Sequence, residues 1–140
     1  MNGGAGNDTF ISENGGRDTV IYDLLLKTDA TGGHGQDTWT GFTVGNVALN
    51  ANADVLDISA LLQDEFDQSK FDYLLENSND STDALNYLGT FVHVDVVGNE
   101  TVISIDRDGA ATSYNPTPLL TLSNVDTSLE QLLKNDQLIY

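Results

Sequence analysis

The chain has no cysteine, which excludes disulfides, thiolate nucleophiles and cysteine-based zinc sites together. Basic residues are scarce: 5 Lys and Arg stand against 22 Asp and Glu, a net charge of −17. A surface that acidic repels phosphate backbones and anionic headgroups, so neither nucleic acid nor a membrane is an expected partner. No apolar run approaches the roughly 18 residues that span a bilayer, and Met1-Asn2-Gly3-Gly4 lacks the basic start and apolar stretch of a signal peptide. H-E-x-x-H and G-x-S-x-G are both missing, so protease and lipase chemistry has no carrier here. The only histidines are His34, at a variable position of a glycine-rich loop, and His93, on the polar side of a predicted hairpin; both read as solvated side chains.

What is abundant is aspartate, which supplies 17 of the 22 acids. Its short side chain favours turns and presents a carboxylate to a cation from a loop. The 140 residues, 39% of them hydrophobic, are enough for one core and one domain. The chain opens inside a glycine-rich motif and so reads as the tail of a longer polypeptide.

Gly3-Gly4-Ala5-Gly6-Asn7-Asp8-Thr9-Phe10-Ile11 and Gly32-Gly33-His34-Gly35-Gln36-Asp37-Thr38-Trp39-Thr40 both fit G-G-x-G-x-D-x-U-x, with U a large apolar residue. Glu13-Asn14-Gly15-Gly16-Arg17-Asp18-Thr19-Val20-Ile21 is a degenerate copy between them. Spacing of this kind marks a solenoid, in which each repeat gives one loop and one short strand. Between Asp18 and Asp37 lie two nine-residue steps plus an inserted residue, so one step is expected to have lost its Asp. Glycines let a tight turn aim several carbonyl oxygens at one point, and the Asp adds a carboxylate. Oxygen ligands in a flexible loop suit calcium better than magnesium or zinc. Phe10, Val20 and Trp39 are expected to point into the core, Trp39 as packing rather than as a sugar platform.

The opening segment resembles the RTX calcium-binding repeats of exported bacterial proteins. In that family an ion sits between two loops stacked on one side of the roll. It is bound by both aspartates, by the first and third carbonyls of one loop and by the second and fourth of the next. The resemblance implies a Ca2+ site made of Asp18 and Asp37 with the carbonyls of Glu13, Gly15, Gly33 and Gly35. Two steps downstream of Asp8 the chain reads Leu26-Lys27-Thr28, leaving Asp23, Asp29 or an upstream repeat as the partner of Asp8.

From Gly41 the repeats stop. Asp54 to Ile58 alternates like a strand, Ser59 can cap a helix over Ala60-Leu61-Leu62, and Ser69 to Glu76 reads as a second helix. Asn77 to Asp83 is a polar loop. Val92, Val94 and Val96 lead through a turn at Gly98-Asn99 to Ile103 and Ile105, the pattern of a hairpin. Leu119 to Leu122 is one more strand, and Ser128 caps a helix whose Leu129, Leu132 and Leu133 form a stripe. Asp106-Arg107-Asp108-Gly109 opens like an EF-hand loop but lacks its later acids, and reads as a surface turn.

The order of these pieces resembles the type I secretion C-terminal target domain found at the ends of large RTX adhesins. It runs from Asp37 to Gly45, through Asp54 to Leu62, Leu85 to Leu88 and the hairpin, to Leu132-Leu133 before Leu138-Ile139. The resemblance implies recognition by an ABC transporter complex, export unfolded with the C-terminus first, and folding outside the cell. Asn7-Asp8-Thr9, Asn79-Asp80-Ser81 and Asn99-Glu100-Thr101 match the N-glycosylation pattern, which an exporter substrate of this kind would not use.

The expectation is therefore an all-β monomer. Residues 1–44 form a short parallel calcium β-roll, and residues 45–140 a β-rich cap and secretion-target segment with two or three short helices. Its expected role is the extracellular or surface export tail of a large adhesin, non-enzymatic in itself. The alternatives are the tail of an RTX protease or lipase, and a ligand-binding module with structural calcium.

Overall fold

The computed structural model describes residues 1–63, 65–77 and 82–140. Four short strands come first: β1 (Thr9–Ile11), β2 (Thr19–Ile21), β3 (Asp37–Thr40) and β4 (Val55–Asp57). Helices α1 (Ser59–Leu62), α2 (Gln68–Asn77) and α3 (Thr82–Leu88) follow. The chain ends with β5 (Val92–Val97), β6 (Glu100–Ile105), β7 (Thr117–Ser123), α4 (Leu129–Lys134) and β8 (Leu138–Ile139).

Each D-x-U segment becomes a strand because its apolar residue alternates with polar neighbours and finds a core behind it. Successive strands pass from one sheet to the other. β1 pairs in parallel with β3, aligning Phe10 with Trp39, and β2 pairs in parallel with β4, aligning Val20 with Leu56. The larger sheet continues as β1-β3-β7-β6-β5, and the smaller is β2-β4-β8. β3 and β7 share that larger sheet across the junction at residue 44.

The expected all-β fold is corrected. Eight strands in two separate sheets are joined by four helices, so the described residues form a mixed α/β fold, and the sheets do not close into a roll. The repeat governs only four strands. After β4 the chain builds three helices, then returns as an antiparallel hairpin whose second strand pairs with β7. The step expected between Asp18 and Asp37 forms no strand. Its backbone folds on itself instead, with the Leu25 and Leu26 amides both donating to the Gly32 carbonyl at 2.8 and 2.7 Å.

The hairpin forms as read, with Val94 opposite Ile103. Ser128 caps α4, its Oγ accepting from the Gln131 amide at 3.2 Å. At α1 the cap differs: helix begins at Ser59 itself, and Asp57 Oδ1 accepts from the Ser59 amide at 3.0 Å and from its hydroxyl at 2.7 Å. Of the predicted polar loop, Asn77 ends α2 and Thr82-Asp83 opens α3, while residues 78–81, with the whole Asn79-Asp80-Ser81 pattern, lie outside the described residues. The turn after β6 is not a surface turn in its side chains, since Asp106 and Arg107 are each 5% exposed. Arg107 reaches the carbonyls of Lys27 (2.7 Å), Asp29 (3.1 Å) and Leu61 (3.2 Å), tying the 22–36 excursion to α1.

One apolar cluster takes residues from both sheets and the helices. Trp39 is fully buried edge-to-face with Phe42 at 4.9 Å and Phe10 at 6.3 Å, and its indole donates to Ser12 Oγ at 2.8 Å. A second aromatic group, Phe66, Phe71, Tyr87 and Phe91, receives Tyr140 at the end of the chain.

Candidate metal centre

The glycine-rich turns stack in two pairs, set by the strand register. Because β1 lies on β3, the loop of residues 3–8 meets that of 32–37, and Asp8 stands beside Asp37. The Asp8 amide donates to Asp37 Oδ1 at 2.7 Å. The Tyr22 hydroxyl donates to Asp37 Oδ2 at 2.8 Å, and Asp37 is fully buried. Burial, and then the hydrogen bond and charge of Asp37, push the Tyr22 phenol far above its ordinary range, so it stays a donor. Asp8 Oδ2 is buried with no hydrogen-bond partner. A buried carboxylate oxygen left without a donor is costly, and a cation is the partner that would relieve it.

The main-chain oxygens around it fall into two sets. Gly4 O faces His34 Nδ1 (2.6 Å), Gly6 O accepts from the Gly35 amide (3.0 Å), Gly32 O from Leu25 and Leu26, and His34 O from the Thr31 hydroxyl. Among the described residues, the carbonyls of Gly3, Ala5, Gly33 and Gly35 accept no hydrogen bond. These are the first and third of one loop and the second and fourth of the next. A Cβ on Gly3 would collide with the Asp8 carboxylate, and one on Gly35 with Asn7 Oδ1 and the Gly6 carbonyl, so only glycine leaves this cradle open. The donor set, two carboxylates and neutral carbonyls, fits a hard cation of calcium type.

The second pair repeats the geometry with different chemistry. β2 lies on β4, so residues 13–18 meet 49–54, and the Asp18 amide donates to Asp54 Oδ1 at 2.7 Å. Asp54 Oδ2 accepts from the Thr43 amide at 2.8 Å. Burial holds the Asp54 carboxyl above its usual range, with the Asp18 charge adding to the effect and the two amides opposing it. Asn50 and Asn52 stand where the matching loop of the first pair has Gly33 and Gly35, and Asn52 Oδ1 accepts from the Gly16 amide at 2.9 Å.

The partnership of Asp18 with Asp37 is thereby corrected. The two lie on different sheets, and with no strand between β2 and β3 the same-side partner of Asp37 is Asp8. Gly33 and Gly35 remain on the Asp37 loop, whereas Glu13 and Gly15 belong to the Asp54 pair and are exposed. Asp23 accepts from the Asn2 side chain at 2.7 Å, and Asp29 accepts from the Thr31 amide and hydroxyl at 2.8 and 2.6 Å. Neither takes the place beside Asp8 that Asp37 fills. His34 is not solvated but 4% exposed, its ring between Gly4 O and Asp23 O. His93 is half-buried, and its Nε2 is enclosed without a partner.

Asp54, Tyr22 and Arg17 are not singled out by the sequence as parts of these loop pairs. Asp54 carries a usable signal, because Asp54-Val55-Leu56 repeats the D-x-U ending of the nonapeptide behind a turn in which Asn stands for Gly. Tyr22 carries none.

Among the described residues no three His, Asp or Glu side chains converge as a metal cluster, so a site here must draw on main-chain oxygens. No model of a known protein family matches the chain, and no curated protein matches it.

Proposed function

We propose that this chain is a calcium-folded export tail: the C-terminal type I secretion target domain of a large secreted or surface-attached adhesin of RTX type. The observation that carries this reading is the buried, partnerless Asp8 Oδ2 facing a glycine cradle whose four free carbonyls follow the alternation of the RTX repeats. Asp8, Asp37 and the carbonyls of Gly3, Ala5, Gly33 and Gly35 would hold the ion. Bound calcium supplies positive charge where two carboxylates and several carbonyl dipoles converge.

The energetics suit a device that senses compartment. With a dissociation constant on the order of 10⁻⁴ M, free calcium a hundredfold higher contributes about 2.7 kcal/mol, and calcium far below it contributes almost nothing. Against a typical stability of roughly 5–15 kcal/mol, and with a net charge of −17 opposing compaction, that increment weights the balance between open and folded chain. Low calcium inside the cell would leave the loops open for passage through the ABC transporter complex, and millimolar calcium outside would order them.

The C-terminal strand supports the same sequence of events. β8 pairs with β4, aligning Leu138 with Leu56, and Gln137 is fully buried. A transporter reading these residues must meet them before the domain folds. Circular dichroism and thermal melting in calcium and in chelator test the proposal. A higher melting temperature and stronger β signal in calcium are expected; identical curves would overturn it.

A further inference from the structure

The second loop pair has the strand register of the first but lacks its buried, unpartnered carboxylate oxygen. Among the described residues the only carboxylate oxygen buried without a partner is Asp8 Oδ2; neither Asp18 nor Asp54 has one. A second difference lies at Arg17. Its Nε donates to the Ala53 carbonyl at 3.0 Å, and one terminal nitrogen donates to Asn50 O at 3.2 Å and also to Val47 O. Asn50 is the second residue of the facing loop, the position that Gly33 holds in the first pair. Gly33 O is therefore free where Asn50 O is taken, by the guanidinium and by the Ala53 amide at 3.1 Å, while among the described residues the Glu13, Gly15 and Asn52 carbonyls accept no hydrogen bond. The residue at the place of Arg17 in the first pair is Asn7, which is neutral and accepts from the Gln36 amide at 3.1 Å.

We infer that Arg17 is the built-in cation of the second loop pair, holding the Asn50 carbonyl at the position where the first pair leaves Gly33 O for a metal, so that Asp18 and Asp54 take no ion and the chain binds one. A guanidinium suits the task because its charge is permanent and its planar fork reaches several oxygens at once, whereas an ammonium is a point charge. With only five basic residues in the chain, one of them spends its head group on three carbonyls. The inference rests on the calcium reading of the first pair only for its count of ions.

Two measurements test it. Calcium titrated calorimetrically into the metal-free full chain should give one ion, unchanged in Asp18→Asn and lost in Asp37→Asn. Two ions, one of them removed by Asp18→Asn, would overturn the inference. Hydrogen exchange of Arg17→Gln in saturating calcium should run roughly tenfold faster at the amides of Gly16, Asp18 and Val55, as expected for losing charged hydrogen bonds, with Asp8, Gly35 and Thr38 unchanged. Unchanged exchange at the first three would overturn it. If Arg17→Gln does not fold, Arg17→Lys keeps the charge without the fork and should show the same local acceleration. If no calcium binds, the reading of the first pair fails, while the exchange data on folded wild type and variant still decide the role of Arg17.

Discussion

Asp8 and Asp37 stand side by side but respond differently to neutralisation. Asp37 has both oxygens engaged, by the Asp8 amide and the Tyr22 hydroxyl, so Asp37→Asn replaces one acceptor by a donor facing a donor. Asp8→Asn removes charge from a group whose Oδ2 has no protein partner. Asp8→Asn should therefore leave the calcium-free protein at least as stable as wild type. It should also abolish the calcium increment, a loss of about 2.7 kcal/mol at a hundredfold excess over the dissociation constant. Asp37→Asn should lower stability in calcium and in chelator alike; chemical denaturation of both variants in both buffers separates the two. Asp29 gives a pH test. Its carboxyl lies below its ordinary range, first because the Thr31 hydroxyl donates to it and then because the Thr31 amide does. The stability it brings is present above the ordinary carboxyl range and is lost as pH falls through the lowered folded value. Thr31→Val should move the Asp29 titration up toward the ordinary value, read by carboxyl NMR. The spacing of Asp and Gly makes Asp8 and Asp37 legible as ligands from the amino-acid sequence, because those residue types have few other reasons to recur at nine-residue steps. His34 is illegible there: nothing local says that the 22–36 excursion folds over its ring.

At the level of elements, the legible pieces are those whose partners lie close in sequence. The α4 cap is such a piece, since Ser128 needs only the amide three residues on. Ser128→Ala should cost about 1 kcal/mol, read from the denaturation midpoint at unchanged slope. The hairpin is legible for the same reason, its strands being joined by a two-residue turn at Gly98-Asn99. The pairing of β1 with β3 rather than β2 with β3 is not. It depends on whether residues 22–36 contribute a strand, and that is decided by distant groups: Gly32 O taking two amides, and Arg107 holding the carbonyls of Lys27 and Asp29 from 80 and 78 residues away. One strand fewer moves every later loop to the other sheet, so a correct reading of single repeats gives a wrong partner for Asp18. The helices are undercounted because α3 is only seven residues long and buries just Ala84 and Leu88, too short a stripe to stand out beside the polar run before it.

Across the whole molecule, the last residues are tied to the first loops. Gln137 is fully buried; its amide donates to Thr43 O and Asp54 O, both at 2.8 Å, and its Oε1 accepts from the Gly45 amide at 3.0 Å. Thr43 and Asp54 also meet each other through the Asp54 carboxylate, so the C-terminal strand closes a network that reaches the second loop pair. Gln137→Ala would leave the Asp54 carbonyl and the Gly45 amide without this partner, at about 1–3 kcal/mol each before relaxation, while Thr43 O keeps the Asp54 amide at 3.1 Å. Because β8 is held by only two paired residues, Leu138 and Ile139, that loss should release the strand ahead of the global transition. Carboxypeptidase digestion followed by mass spectrometry reads this directly. In calcium the wild-type terminus should resist trimming past Tyr140, whereas Gln137→Ala should be trimmed into β8 in the same buffer while circular dichroism still reports a folded core. Equal resistance in wild type and variant would mean that the aromatic packing of Tyr140 on Phe66 and Phe71, and not the Gln137 network, keeps the C-terminus sealed.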